Sequence, residues 1–521
     1  MTIDQTKSHP PKHKNLPSQF AALPGHRVAV IDIGSNSMRL VVFHDLVRTP
    51  LTLFNEKITC QLGHSLQHTG RLNPDGVRMA LPRLQRFKQI ITALAVSEVI
   101  VVATAAVREA SDGKDFVAEI TQRTGWPVKI LSGQEEAELV AQGLIAADPE
   151  ADGIVGDLGG GSLELINIHL AGGKKPTPQI LAQTTLKLGL LRLRDQTMGK
   201  LVEAEKLFDA ELKTAASLLA SPRKSGKFYA IGGAWRSIAR LLMDHEKYRL
   251  RVIHHYRCQA SQALDFLSFL RQLSPSQLAN MPNLDSSRAA LTPLAALALE
   301  RMLLWCGAEE VVFSTSGLRE GCLYHILPPS AQQNDPILTA CQSLVTTRRF
   351  AMDSHDIFQF MAEIFASQGS HVTRLAQAAA ILSDIGWTEH PDDRSEISWR
   401  RVLYMPMIGI THAERNFLAR AIYARYRGNA PIPSHLESLA PNLGAEWRKL
   451  AVQIGMALAL AHRLSGGDPV LLAEARLRMT GGVLELSLPH AHAEMGGKSL
   501  LSYLQNLADS LGFSANLRCL P

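Results

Sequence analysis

From Arg27 onward the chain alternates short apolar runs with amphipathic stretches. The runs 28–33 (VAVIDI), 38–43 (MRLVVF), 99–107 (VIVVATAAV) and 128–131 (VKIL) have the length and β-branched content of buried strands, and 76–96 carries apolar residues at helical spacing. A second series starts at 154–168 (IVGDLGGGSLELINI) and continues through 228–233 and 311–324. Strands that alternate with helical patterns predict α/β layers. Beyond residue 336 the pattern changes: 355–366, 371–386 and 413–426 predict a mostly helical region, with a strand at 481–489. Between these regions, 328–336 (PPSAQQNDP) is polar and punctuated by proline, as a linker would be.

The starts of the two α/β series can be superimposed. Asp32–Leu40 (DIGSNSMRL) and Asp157–Leu165 (DLGGGSLEL) share D-x-G-x-x-S-x-x-L, which predicts an internal duplication. A strand that ends in Asp-x-Gly and turns through small residues exposes backbone N–H groups as a nest for an oxyanion. Gly34, Ser35, Asn36 and Ser37 would form one such loop and Gly159, Gly160, Gly161 and Ser162 the other, with the Ser37 and Ser162 hydroxyls at matching offsets to donate to phosphate oxygens. Asp32 and Asp157 stand where the strands finish. Carboxylates there suit a hard divalent cation such as Mg²⁺, or they cap their own turns.

A length of 521 residues exceeds one core and predicts two to four domains. The six cysteines show no CxxC pair or framework spacing, which points away from zinc and disulfide scaffolds and toward a reducing cytoplasm. Residues 1–26 contain lysines and prolines but lack the apolar core of a signal peptide, and they read as a disordered tail. No window approaches the roughly 18 apolar residues of a membrane span, so a soluble chain with no membrane partner is expected. The net charge of +6 is compatible with a polyanion but does not choose which one.

The ordered motifs VIDIGSNSMRLVV, TAAVREA, LSGQEEAEL, GDLGGGSLEL, AIGGAWRSIA and STSGLREG resemble those of the exopolyphosphatase/guanosine pentaphosphate phosphohydrolase (Ppx/GppA) family, over Arg27 to Pro328. The resemblance implies an α/β fold of two ribonuclease H-like subdomains of the actin/sugar kinase superfamily, at 27–140 and 141–328, with a cleft between them. A linker at 329–336 and a mostly α-helical HD-like accessory domain at 337–521 would follow. In the motif 132–137 (SGQEEA) the resemblance makes Glu136 the residue that activates water, with Glu135 as the alternative; the bland reading is a helix whose acidic first turn offsets its dipole. Glu164 joins Asp32 and Asp157 as a Mg²⁺ or water-positioning carboxylate, and Arg108 in TAAVREA is the preferred phosphate clamp, with Arg39 and Arg319 behind it.

The implied reaction is hydrolysis of the terminal phosphoanhydride bond of inorganic polyphosphate. Guanosine pentaphosphate is the alternative substrate, and an ATPase, a kinase or a non-catalytic sensor of a phosphorylated ligand is the alternative activity. Lys187, Arg192, Arg194 and the group Lys247, Arg249, Arg251, His254, His255 and Arg257 would line a polyphosphate path in a homodimer that binds no nucleic acid. In the helical region Ser383 stands where an HD-type site would place a histidine ligand, so His355, His371 and His412 are expected to be structural or to lie along a substrate path rather than to be catalytic.

Overall fold

The structure, a computed structural model, describes residues 25–173, 177–219, 225–345 and 353–520. The tail expected at 1–26 lies outside them up to residue 24. Among the described residues no helix is long and apolar enough to cross a membrane.

The first sheet contains β1 (Val28–Ile33), β2 (Ser37–Phe43), β3 (Thr52–Thr59), β4 (Glu98–Ala103) and β5 (Val128–Ile130), in the order β3-β2-β1-β4-β5. The first three strands form an antiparallel meander, and β4 and β5 run parallel to β1. The second sheet repeats this plan with β6 (Gly153–Leu158), β7 (Leu163–Ala171), β8 (Thr177–Leu186), β9 (Lys227–Ile231) and β11 (Glu310–Phe313), and adds β10 (Tyr256–Gln259) as an antiparallel edge. Both hairpins keep one register: Asp32 faces Arg39 across β1 and β2, and Asp157 faces Glu164 across β6 and β7. The duplication read from the sequence is therefore a duplication of topology.

Strand β1 reads as a continuous apolar run because both of its faces are covered. Ala29, Ile31 and Ile33 pack in one core with residues of helices Pro74–Ala93 and Gly113–Thr124. Val28 and Val30 pack in another with residues of helices Gly133–Ala147 and Leu318–Ile326. That second core also takes Val155, Ile166, Tyr229 and Val312 from the second sheet, so the two helices lie in a core fed by both sheets. The boundary drawn between 140 and 141 falls inside helix Gly133–Ala147, which runs unbroken through this shared core.

The strand expected over 99–107 ends at Ala103, and Ala105–Glu109 is a short buried helix. An apolar run of that length does not separate strand from buried helix by hydrophobicity alone. The linker residues 329–336 include a helical turn at Pro329–Gln332, and the buried Arg48 donates to the Gln332 and Asn334 carbonyls, both at 2.8 Å. The C-terminal region packs helices Ser354–Phe365, Gly369–Leu382, Arg394–Tyr404, His412–Arg427, Ala445–Ser465 and Lys498–Leu511 around one core. A three-stranded sheet of β12 (Arg476–Thr480), β13 (Val483–Pro489) and β14 (Ser514–Leu520) joins it.

The two central helices approach so closely that only glycine fits at their crossing. A Cβ on Gly143 would stand 2.1 Å from the Gly317 carbonyl oxygen, and one on Gly321 would stand 1.7 Å from that of Leu139. Helix propensity alone has Gly321→Ala stabilise the chain by up to about 1 kcal/mol. The crossing predicts the opposite sign, a loss of about 1–3 kcal/mol from overpacking. Urea unfolding of the two proteins measures which effect wins.

Candidate active site

Two loops meet at the ends of β1 and β6, and they are built alike. Gly34 N–H donates to the Ser37 carbonyl at 3.1 Å, and Gly159 N–H donates to that of Ser162 at 3.0 Å. The other carbonyls point outward. Ser35 accepts from Gly63 N–H at 2.9 Å and Asn36 from Gln61 N–H at 2.9 Å, while Gly159 accepts from Leu190 N–H at 3.1 Å and Gly160 from Leu191 N–H at 2.9 Å. The N–H groups of Ser35, Asn36, Gly160 and Gly161 donate to no backbone oxygen among the described residues, and all four residues line one cavity of about 240 Å³. Such unused, converging N–H groups are an anion nest. The loops also touch: a Cβ on Gly161 would come within 2.6 Å of Ser35 Oγ, which leaves glycine as the residue that fits.

The acidic wall separates the two glutamates that the sequence left open. Ser132 caps helix Gly133–Ala147, and Glu135 closes a capping box with it: Ser132 N–H donates to Glu135 Oε2 at 2.9 Å, and Glu135 N–H to Ser132 Oγ at 3.2 Å. The Lys129 ammonium bond and this box hold the Glu135 carboxyl down at about 2. Glu136, one residue on, points into the cavity and is 7% exposed. Burial pushes its carboxyl up to about 7, against the pull of Arg108. Glu164 lines the same wall, buried, and its Oε1 has no hydrogen-bond partner among the described residues. Burial first, and then Glu136 and Asp157, raise its carboxyl well above the usual range. Burial likewise pushes Asp157 up to about 6, opposed by Arg236 and Arg319.

Asp32 differs from its counterpart. Arg319 Nη1 donates to its Oδ2 at 3.1 Å, so of the three carboxylates expected at a metal, Asp32 is already engaged by a guanidinium. Asp157 and Glu164 remain as neighbours across β6 and β7. The orphaned Glu164 oxygen fits a divalent cation held by one or two carboxylates and completed by substrate oxygens and water. Among the described residues no group of three or more His, Cys, Asp and Glu could hold an ion by itself.

Arg108, the preferred phosphate clamp, does not line the cavity. Its Nη1 donates to Glu136 Oε2 at 2.9 Å and to the Leu131 carbonyl at 2.7 Å, which makes it the partner of the glutamate. Cations reach the cavity from elsewhere: Arg39, Lys57, Arg236, Arg288 and Arg319 all line it. Arg39 and Lys57 face each other across β2 and β3, and like charges directly opposite are unfavourable without an anion. Burial, then Arg319 and Arg39, bring Arg236 down to about 10. Sequence reasoning missed Lys57, Arg236 and Arg288. Arg236 could have been found by its place in the AIGGAWRSIA motif.

Several expected path residues lie elsewhere. Arg192 is buried in a hydrogen-bond network, Arg194 bonds Asp195 at 2.8 Å, and Arg251 pairs with Asp244. His254 and His255 are buried, and the His254 carbonyl lies 3.0 Å from His412 Nε2. Ser383 Oγ lies 3.0 Å from His462 Nε2, and Arg425 stands 3.7 Å from Asp384; His355 is exposed and His371 is 3.4 Å from Glu414.

Because the folded state raises the Asp157 carboxyl, it binds that proton more tightly than the unfolded chain does. The stability this gives is present below the ordinary carboxylate range and is lost as pH rises through about 6. Asp157→Asn removes a buried charge, so at pH 8 in chelator it should unfold on the order of 2 kcal/mol later than the parent, with the gap closing toward pH 4. Urea midpoints at the two pH values check this.

The Ppx/GppA phosphatase family profile matches residues 40–330, and the profile for the exopolyphosphatase C-terminal region matches 337–517. Retrograde regulation protein 2 of Saccharomyces cerevisiae is 26% identical over 442 residues, 77% of this chain and 73% of its own. The solved structure of an exopolyphosphatase from Cytophaga hutchinsonii is similar at 25% identity and a TM-score of 0.51, covering 58% of this chain and 97% of that one. That of the Aquifex aeolicus Ppx/GppA family member is similar at 23% identity and a TM-score of 0.48, covering 57% and 96%. With two anion-nest loops of one design, a buried glutamate lining the same cavity, and a family match across more than half its length, the chain belongs to the Ppx/GppA phosphatase family.

Proposed function

We propose that the protein hydrolyses the terminal phosphoanhydride bond of inorganic polyphosphate and releases orthophosphate. The observation that carries this reading is the cavity lining: a buried glutamate, two anion-nest loops and the cations Arg39, Lys57, Arg236 and Arg288 all line one cavity. A chain of phosphates presents negative charge along its length, which suits such a row. None of the residues lining the cavity is aromatic, and Arg236, in the first turn of helix Gly233–His245, adds a cation to it, so the lining favours phosphates over guanine.

In this reading the N–H groups of Ser35, Asn36, Gly160 and Gly161 hold the oxygens of the terminal phosphoryl group. Glu136 orients a water in line with the scissile bond and accepts its proton as the water oxygen bonds to phosphorus. A base titrating near neutrality is matched to that task. The bridging P–O bond breaks, and the shortened chain leaves as an oxyanion beside the arginines. Asp157 and Glu164 would hold Mg²⁺, which when bound supplies positive charge to the phosphoryl oxygens. Arg108 restrains Glu136 without touching the substrate.

Phosphate release is to be compared on long-chain polyphosphate and guanosine pentaphosphate under equal conditions with Mg²⁺. Faster release from the nucleotide overturns the choice of substrate, and release from neither overturns the enzyme. Glu136→Gln should lower turnover by about a hundredfold or more while polyphosphate still binds, and Glu135→Gln should retain turnover. Equal losses in the two variants would remove the assignment of Glu136.

A further inference from the structure

Arg192 follows the second loop in space and is 5% exposed. Its three donor groups reach three acceptors. Nε donates to the Gly161 carbonyl at 2.9 Å, Nη1 to Gln67 Oε1 at 2.9 Å and Nη2 to Glu109 Oε2 at 2.5 Å. The first bond lies within the second subdomain, and the other two cross to the first. A planar fork that serves three directions is a task for arginine and not for lysine.

The Gly161 carbonyl belongs to the loop whose N–H groups form half of the anion nest, and the brace from Nε keeps that carbonyl turned out. Glu109 is the last residue of helix Ala105–Glu109, and the residue before it, Arg108, holds Glu136. One short helix thus touches both the guanidinium that shapes the second loop and the proposed base. Next to this contact, Arg194 Nη2 lies 3.3 Å from His64 Nδ1, a further bond across the same seam.

We propose that Arg192 is a positioning residue that ties closure of the cleft to the shape of the second phosphate loop. When the subdomains part, its bonds to Gln67 and Glu109 break and the guanidinium is released to water, so the Gly161 carbonyl loses a fixed partner. When they close, the network re-forms and the four N–H groups converge. Glu109 and Gln67 touch no substrate; they set the fraction of molecules that are closed. Apparent affinity falls in proportion to that fraction.

The test uses Glu109→Gln, which removes the charge from the first-subdomain half and leaves the brace on Gly161, in the full chain. Spin labels on cysteines replacing the exposed Met79 and Phe269, in a background with Ser for the exposed Cys519, report the separation of the subdomains. Glu109→Gln should move the distance distribution outward. It should also raise KM for polyphosphate about tenfold, as expected if the closed fraction falls to about a tenth, with kcat held within about twofold of the parent. Arg192→Lys, which loses the fork, should lower kcat as well. An unchanged distance distribution in Glu109→Gln overturns the latch whatever the kinetics. The kinetic arm rests on the proposed function: a parent protein that releases no phosphate but opens on Glu109→Gln supports the latch and counts against the substrate.

Discussion

Two helices whose backbones touch fix the spacing of two groups that meet in the cleft, the one each of them carries. Gly143 lies two turns beyond Glu136 on helix Gly133–Ala147, and Gly321 lies two residues beyond Arg319 on helix Leu318–Ile326. Because neither position has room for a Cβ, the crossing allows no slack. Glu136 and the guanidinium that engages Asp32 are therefore held at a separation set by backbone contact, in a core fed by both sheets. Two glycines inside helices each cost about 1 kcal/mol of helix propensity, and here that cost obtains registration of the reacting groups.

The duplicated hairpins diverged in charge while keeping their geometry. Across the first sheet the row at the cleft edge reads Asp32, Arg39, Lys57; across the second it reads Asp157, Glu164, Thr185. The first jaw is basic beyond its aspartate and the second is acidic. Burial disfavours the charged forms of both kinds of group around the cavity, raising Asp157, Glu136 and Glu164 and lowering Arg39 and Arg236. In the proposed reading a phosphate chain would meet the basic row and a divalent cation the acidic one, so each ligand would offset the burial of the groups it meets.

The parts of this site that local chain chemistry dictates were legible in the sequence. The two loops could be found because Asp-x-Gly followed by small residues determines a turn and because the motif occurs twice. The choice between Glu135 and Glu136 was legible too, through a signal left unused: Ser132 and Glu135 form the S-x-x-E capping pair, which commits Glu135 to the helix terminus. Lys57 was not legible, because its place depends on the β2–β3 register, nor was Arg288, which a separate short helix brings in. Arg192 was read as a substrate cation because a sequence does not distinguish an exposed guanidinium from one that is buried and fully engaged.

The helical region bears on the cleft through a joint of neutral histidines. Tyr248 Oη lies 2.7 Å from His412 Nδ1, the other nitrogen of that ring lies 3.0 Å from the His254 carbonyl, and Thr315 N–H donates to His254 Nδ1 at 3.4 Å. Thr315 lines the cavity. For His254 Nδ1 to accept, the ring must be uncharged, and burial enforces this by lowering both rings, His412 to about 4. Uncharged rings transmit position by shape and hydrogen bonding, with no long-range field added to a cleft already crowded with charge. The joint therefore steadies one wall of the cavity and leaves its electrostatics to the two jaws.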